Sequence, residues 1–338
     1  MILNVELKTQ RYDVVIQNGA LNDIASLFDL DRKVLVVTDD GVPSRYAEKV
    51  SSAAKEAVIV TLKSGEESKN FDNFKSILSV MLAHSFNRND CVVAVGGGVA
   101  GDIAGFAASC YMRGVDFYNV PTTLLSQVDS SIGGKTAIDF EGIKNVVGAF
   151  YQPKKVVIDA DLLSTLDDRQ ISAGLAEAVK MALTCDKELF EFIENCEDFD
   201  KVKRNLPTII ERALRIKQSV VEQDEKEGGL RRVLNFGHTV GHAIESEENG
   251  RLLHGECVAL GMLPMCATPV RNRLKKVLAK CNLPCEIKCD KDALAKRIAH
   301  DKKADGNGIC IVRVNEVGSF VFENASVEQI LEMTEEAK

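Results

Sequence analysis

Through the first half of the chain, β-branched runs alternate with segments of helical spacing. Lys33–Val37 is a short apolar run closed by Thr38-Asp39-Asp40-Gly41, which predicts a buried strand and a turn. Ala57–Leu62 predicts a second strand, ended by Lys63-Ser64-Gly65. Phe74, Ile77, Leu78, Met81 and Leu82 recur at helical spacing and predict a helix over Phe71–Ser85. Cys91–Val95 reads as a third strand, Phe117–Val120 as a fourth closed by Pro121, and Val156–Asp159 as a fifth. Between the third and fourth, Gly101–Ser109 reads as a helix whose alanines and glycines allow close packing. This alternation predicts an α/β domain with a Rossmann-like parallel sheet.

After about Thr165 the strand signal fades. Ile171–Leu183, Lys187–Asn195, Leu206–Gln223, Thr239–Glu247 and Cys257–Thr268 carry helical patterns, so the second domain is expected to be mainly α-helical. The expected division is 1–163 for the α/β domain and 164–338 for the helical one, with the active site in the cleft between them. Glu222–Gly229 reads as a charged, glycine-ended loop or helix end, or simply as a solvated turn. There are no internal repeats and no low-complexity segments.

Composition narrows the function classes. A chain of 338 residues favours two domains, and a hydrophobic content of 45% is ordinary for a globular protein. A net charge of −8 argues against a general nucleic-acid binder, but a few lysines in a cleft can still focus a positive field on an anion. The N-terminus lacks a signal-peptide pattern, and no apolar run is long enough for a bilayer. The ten cysteines are scattered, which fits reduced thiols in a cytoplasmic protein. Cys281, Cys285 and Cys289 are evenly spaced but lack zinc-knuckle spacing, so packing is the better reading.

The candidate chemistry lies in two regions. In the first, Gly96-Gly97-Gly98-Val99-Ala100-Gly101-Asp102 follows a strand and opens a helix. Glycines there let backbone N–H groups approach a pyrophosphate, and a helix N-terminus favours its charge. A plain tight turn would carry the same residues. The loop follows the third strand and not the first, and no convincing acid stands near Asp116 or Asn119 for the ribose. Asp39, or Glu66 with Lys69, are the substitutes. A polar block, Pro121–Thr136, follows with a composition unsuited to a core.

In the second region, three of the chain's five histidines fall between His238 and His254. His238 and His242 are four apart on a predicted helix, so they share a face. Glu177, an acid in a small apolar helix, is the natural carboxylate to join them around a metal ion. Spacing leaves open whether His238 and His242 both bind it. Lys135, Lys144, Lys180, Lys217, Arg113 and Arg231, with Asn235, could hold a carboxylate and a phosphate. Asp129 and Glu227 could orient those bases. His84 and His300 read as surface residues. Glu256 reads as either a cap or a residue behind the site.

These motifs together resemble the 3-dehydroquinate synthase family. The resemblance rests on Gly96–Phe106, Tyr111-Met112-Arg113-Gly114, Pro121–Thr136, Lys144-Asn145, Gly148–Pro153, Ala173–Glu177, Leu234–His242, His254-Gly255-Glu256 and Asp301-Lys302-Lys303, in order across nearly the whole chain. It implies conversion of 3-deoxy-D-arabino-heptulosonate 7-phosphate to 3-dehydroquinate and phosphate, in the shikimate pathway of aromatic amino acid biosynthesis. It implies a bound NAD that is reduced and reoxidised within one turnover, and Zn2+ or Co2+ held by Glu177, His238 and His254. His242 would then be a catalytic histidine and not a ligand. Lys135, Lys144, Asn145, Lys217, Arg231 and Asn235, with Lys180, Asp129 and Glu227 nearby, would serve the substrate. Arg113 would reach the phosphate from the neighbouring subunit of a homodimer. Asp39, Glu66, Lys69, Gly97, Gly98, Gly101, Asp102, Thr122, Thr123, Asp129, Lys135 and Lys144 would line the NAD site. Cys257 stands where the family has alanine. Rival readings are a metal- and NAD-dependent polyol dehydrogenase, another sugar-phosphate cyclase, and a silent NAD-binding protein.

Overall fold

The computed structural model describes residues 1–8, 10–248, 250–301 and 308–338. Lys302 and Lys303, and the side chain of His300, lie outside the described residues. The chain folds as two compact units, Met1–Leu166 and Asp167–Lys338.

The first unit contains strands β1 (Ile2–Glu6), β2 (Arg11–Ile16), β3 (Lys33–Asp39), β4 (Glu56–Leu62), β5 (Cys91–Gly96), β6 (Asp116–Pro121), β7 (Lys135–Phe140), β8 (Ile143–Phe150) and β9 (Lys155–Ile158). Its helices are α1 (Ile24–Leu27), α2 (Ser44–Ala53), α3 (Phe71–Ala83) and α4 (Gly98–Cys110). Seven strands form one sheet in the order β1-β2-β9-β6-β5-β3-β4, parallel except for the β1–β2 pair.

Strand alternation explains why this sheet carries two cores. Val34, Val36, Val93 and Val95 face a cluster with Ile24 of α1 and Tyr46 and Val50 of α2. Leu35, Val37, Val92 and Ala94 face the opposite cluster, with Ile77 and Met81 of α3 and Ile103 of α4. A strand covered on both faces reads as an unbroken apolar run, as β5 does: it is buried at every position. β4, at the edge, is buried only at Leu62.

The expected parallel sheet is present, with four strands added to the sequence reading in this unit's main sheet and hairpin. β1 alternates buried and exposed positions at one edge, and β2 beside it is buried at Tyr12, Val14 and Val15. β7 and β8 form a separate antiparallel hairpin, and β8 is exposed or half-exposed throughout, so it lacks the apolar signal of a core strand. The glycine loop therefore follows the fifth strand in chain order, not the third.

The second unit contains α5 (Asp168–Cys185), α6 (Lys187–Glu194), α7 (Phe199–Arg204), α8 (Leu206–Gln223), α9 (His238–Glu248), α10 (His254–Met262), α11 (Thr268–Lys280), α12 (Lys291–Asp301) and α13 (Val327–Glu335). A small hairpin of β10 (Ile309–Arg313) and β11 (Val321–Ala325) interrupts the helices. The helix expected over Cys257–Thr268 is instead the end of α10 and the start of α11. Pro264 has no N–H to continue the helical hydrogen-bond ladder, so α10 stops at Met262 although Leu263 keeps helical φ and ψ. α5 is buried from Ile171 to Thr184 and packs against α6, α8 and α10.

Glycines set the closest contacts of this unit. A Cβ on Gly255 would lie 2.0 Å from the Ala173 carbonyl oxygen, and one on Gly241 would lie 3.0 Å from that of Cys257. Backbone therefore meets backbone where α10 crosses α5 and α9. No described helix is long and apolar enough to cross a membrane.

Candidate active site

In the first unit β3 and β5 are neighbours, yet the chain leaves them toward opposite edges of the sheet, to β4 and to β6. Such a reversal opens a crevice at the carboxyl ends of the two strands. Asp39 ends β3 there and Gly96 ends β5. A Cβ on Gly96 would stand 3.4 Å from Asp39 Oδ2, so the carboxylate lies against the glycine loop. Burial raises the Asp39 carboxyl above its usual range, although the Gly41 N–H donates to it at 2.9 Å.

α4 starts at Gly98, and its first-turn N–H groups have no partners within the helix. Thr122 N–H donates to the Gly96 carbonyl at 2.9 Å, and a Cβ on Gly97 would lie 3.0 Å from Thr123 Cγ2. These contacts bring Gly97, Gly98, Thr122 and Thr123 to one place. Gly101 has a different task. Its N–H donates to the Gly97 carbonyl, and a Cβ on it would lie 3.2 Å from Asn119 Nδ2 of β6, so it serves helix–strand packing.

Glu66, Lys69 and Asp102 form a charged cluster. Buried Lys69 places Nζ 2.8 Å from Glu66 Oε1 and 3.1 Å from Asp102 Oδ2. Burial opposes its charge, but the two carboxylates outweigh burial and raise its pKa. At Asp102 the balance reverses: burial outweighs Lys69 and pushes the carboxyl up to about 6.

The polar block Pro121–Thr136 is largely buried, contrary to its composition. Ser126, Gln127, Ser131 and Thr136 all lie inside. Gln127 Nε2 donates to the carbonyls of Pro121 and Asp159, at 3.1 and 2.8 Å, which satisfies its amide protons without water. Asp129 sits in a π-helical turn, Ser126–Ser130, a geometry frequent at functional sites. Lys135, Lys144 and Asn145 are exposed on the β7–β8 hairpin. Asn145 adopts φ 54° and donates its N–H to Asp139 Oδ1 at 2.8 Å. Arg113 is exposed in a turn where Met112 and Arg113 both have positive φ, 48° and 70°.

In the second unit Glu177, on α5, is fully buried. His238 and His254 open α9 and α10, and their Nε2 atoms lie 3.9 and 3.4 Å from Glu177 Oε1. Neither carboxylate oxygen has a hydrogen bond, although Lys180, one helical turn on, pairs with Glu177 as an ion. The far nitrogens are engaged: His238 Nδ1 lies 3.2 Å from the Phe236 carbonyl, and His254 Nδ1 lies 3.1 Å from Glu245 Oε2. A carbonyl can only accept, so His238 carries its proton on Nδ1 and presents a lone pair at Nε2. Two imidazole nitrogens and one buried carboxylate form a donor set that suits a zinc-like divalent ion, so these residues fit the metal expected from the sequence.

The same contacts shift the protonation of all three residues. Burial opposes ionisation of Glu177, but Lys180 and the histidines hold it well below the usual carboxylate range. Burial and the Lys180 charge keep His238 neutral. His254 rises to about 10 despite burial, because Glu177 and Glu245 favour its charged form.

His242 belongs to the same histidine group, whose ring nitrogens lie within 4.8 Å of one another. It is exposed, with its ring 5.1 Å from that of His238 and 5.7 Å from that of His254.

Lys180, Lys217 and Arg231 are buried cations of this unit. They sit on α5, α8 and the 3-10 turn Leu230–Asn235, elements that pack on one another. Asn235 Nδ2 donates to Glu227 Oε1 at 2.6 Å, which joins two of the expected substrate residues. The Glu222–Gly229 turn is not simply solvated. Asp224 accepts from the N–H groups of Gly228, Gly229 and Arg231, and Arg231 Nη1 donates to the Glu225 carbonyl at 2.5 Å.

Glu256 is a structural residue. It accepts from the Leu253 N–H at 2.7 Å and pairs with Arg169 at 2.7 Å, capping α10. Sequence reasoning missed Glu245 and the Phe236 carbonyl. Glu245 lay within reach, because it follows His238 by seven and His242 by three on one helix face. His84 is exposed, and every cysteine is a free thiol.

Residues 59–173 match the family described as 3-dehydroquinate synthase N-terminal, and residues 174–304 match 3-dehydroquinate synthase C-terminal. The chain belongs to the 3-dehydroquinate synthase family. It is 42% identical to the 3-dehydroquinate synthase of Acetivibrio thermocellus, over 93% of this chain and 94% of that protein. Solved structures of related cyclases share the fold. A 2-deoxy-scyllo-inosose synthase complexed with carbaglucose-6-phosphate, NAD+ and Co2+ has a TM-score of 0.90 at 28% identity, covering 99% of this chain and all of that one. The 2-epi-5-epi-valiolone synthase of Streptomyces hygroscopicus subsp. jinggangensis 5008, with NAD+ and Zn2+ bound, has a TM-score of 0.89 at 28% identity, covering 98% of each chain. The 3-dehydroquinate synthase family match extends through both units, so the glycine-loop crevice and the histidine–carboxylate cluster belong to one enzyme family.

Proposed function

We propose that this protein is an NAD- and metal-dependent carbon–oxygen lyase that converts 3-deoxy-D-arabino-heptulosonate 7-phosphate to 3-dehydroquinate and phosphate. The reading rests chiefly on the convergence of His238 and His254 Nε2 on the buried Glu177 carboxylate. It places the reaction in the shikimate pathway, in the cytoplasm.

A bound NAD would supply hydride transfer, and Zn2+ or Co2+ held by Glu177, His238 and His254 would supply Lewis acidity toward substrate oxygens. The chain's own residues bind and orient. Glu177, His238 and His254 hold the metal, while their partners on Nδ1 keep each ring turned toward it. In the first unit the α4 N-terminus receives the pyrophosphate, and Asp39, Glu66, Lys69, Asp102, Thr122 and Thr123 surround the nucleotide. Lys135, Lys144, Asn145, Lys217, Arg231 and Asn235 hold the substrate carboxylate, hydroxyls and phosphate, because fixed cations bind such groups without reorganising. Lys180, Asp129 and Glu227 set the charge around them. His242, exposed beside the ligands, is placed to exchange protons with the substrate. The active form is a homodimer in which Arg113 reaches the phosphate of the neighbouring subunit. The likeness to other cyclases supports one alternative, a sugar-phosphate cyclase acting on another phosphorylated sugar.

The test is a single assay of phosphate release from 3-deoxy-D-arabino-heptulosonate 7-phosphate, with catalytic NAD and zinc, that also follows nicotinamide absorbance. The expected result is phosphate without net NADH. Phosphate from sedoheptulose 7-phosphate or glucose 6-phosphate alone would transfer the protein to the sister cyclases. NADH accumulating on a polyol, with no phosphate, would make it a dehydrogenase.

A further inference from the structure

The two histidines that flank Glu177 are held by different means. His238 is tied through Nδ1 to a backbone carbonyl, that of Phe236, two residues away on its own segment. Its side chain is 14% exposed, and its Nδ1 partner belongs to its own segment. His254 is the first residue of α10, and its side chain is 34% exposed. Among the described residues, the partners of its ring nitrogens lie on other helices, Glu177 of α5 and Glu245 of α9. Its Nδ1 partner is the carboxylate of Glu245, 3.1 Å away on α9, with a side chain that is 15% exposed.

A carboxylate on Nδ1–H does two things that a solvent partner does not. It selects the tautomer with a free Nε2, and it raises the donor strength of that nitrogen. α9 carries both His238 and Glu245, and Gly241 between them seats α9 on the Cys257 carbonyl of α10. This helix contact thus sets where Glu245 of α9 meets His254 of α10.

From this geometry we infer that Glu245 is a positioning residue for the metal centre: it orients His254 and strengthens it as a ligand without touching the metal. The inference rests on the reading that Glu177, His238 and His254 hold a divalent ion.

The experiment measures Zn2+ affinity of the full-length protein against a competing chelator, and records the visible spectrum of the Co2+-loaded protein. The variants are Glu245→Ala, Glu245→Gln and Glu247→Gln. Glu247 lies on the same helix but pairs with Arg297 at 2.7 Å, so its variant removes an equal charge without reaching His254. Glu245→Ala is expected to weaken Zn2+ binding about 10- to 100-fold and to alter the Co2+ bands. Glu245→Gln is expected to recover part of the loss, because its amide oxygen still accepts from Nδ1–H. Glu247→Gln should match the parent, and NAD affinity should be unchanged in all three.

Parent-like Zn2+ affinity and Co2+ bands in Glu245→Ala would overturn the inference, as would an equal loss in Glu247→Gln. If Glu245→Ala does not fold, Glu245→Gln decides: parent-like Zn2+ affinity there overturns the inference, and a weakened site supports it. A parent protein that binds no Zn2+ would overturn the metal reading itself, and the inference with it.

Discussion

Glu177 has no place in an apolar helix unless something needs its charge. It is fully buried on α5, without a hydrogen bond to either oxygen, and it shares its surroundings with the buried ammonium of Lys180. Glu177→Ala is therefore expected to yield folded protein with no bound zinc and no phosphate release. Metal analysis and circular dichroism on one sample would check it, and normal turnover by the metal-free variant would sink the ligand assignment. The variant should also lose ~3 kcal/mol of stability, because Lys180 remains buried without its counter-charge. Asp102 supports a pH prediction. Burial, only partly opposed by Lys69, raises its carboxyl from the usual 3.8 to about 6. The folded chain thus holds this proton more tightly than the unfolded one. Its contribution to stability is complete below about pH 3.8 and is lost as pH rises through about 6, a difference of ~3 kcal/mol. Asp102→Asn should flatten that part of the stability profile, as measured by urea unfolding across about pH 4 to 7. An unchanged slope would show that Lys69 compensates Asp102 fully.

The elements that matter most are those brought together by absent side chains. α10 meets α5 where a Cβ on Gly255 would lie 2.0 Å from the Ala173 carbonyl oxygen. That contact stands one residue from His254 and four from Glu177 along their chains, so helix spacing also sets the distance between these two proposed ligands. Gly255→Ala must push the helices apart and is expected to cost about 3 kcal/mol or more. Zinc affinity should fall along with the urea midpoint. Loss of stability with full zinc affinity would mean that the ligands relax independently of the helix contact. In the first unit, the all-buried β5 and the glycine-initiated α4 play the corresponding part. Gly101 packs on Asn119 and fixes where the open end of α4 points.

At the scale of the whole molecule, the family match through both units makes each unit one part of the enzyme. Arg113 stands exposed in a turn with consecutive positive-φ residues, Met112 and Arg113. Its proposed work in a neighbouring subunit predicts a homodimer in solution. Light scattering coupled to gel filtration should give twice the mass of one chain. Mixing Arg113→Ala chains with chains inactivated at Glu177 should restore part of the activity, because a mixed dimer keeps one complete set of residues. A monomer that retains full turnover would end that assignment.

The sequence by itself determined the elements whose burial is regular. β3, β5 and the helices α3, α5 and α8 were legible because a doubly covered strand or a one-sided helix leaves an apolar pattern in the chain. The glycine loop and the histidine cluster were legible because their residue types are rare in such company. Exposed β8 left no such pattern, and Pro264 was needed to explain the end of α10. The choice among ligands was open on spacing alone, since His238 and His242 share a helix face. Only the tertiary structure brought Glu177 of α5 to the Nε2 atoms of His238 and His254, and Glu245 behind His254. Those contacts join residues far apart in sequence, and helix packing at glycines determines their distances. No local pattern carries that information.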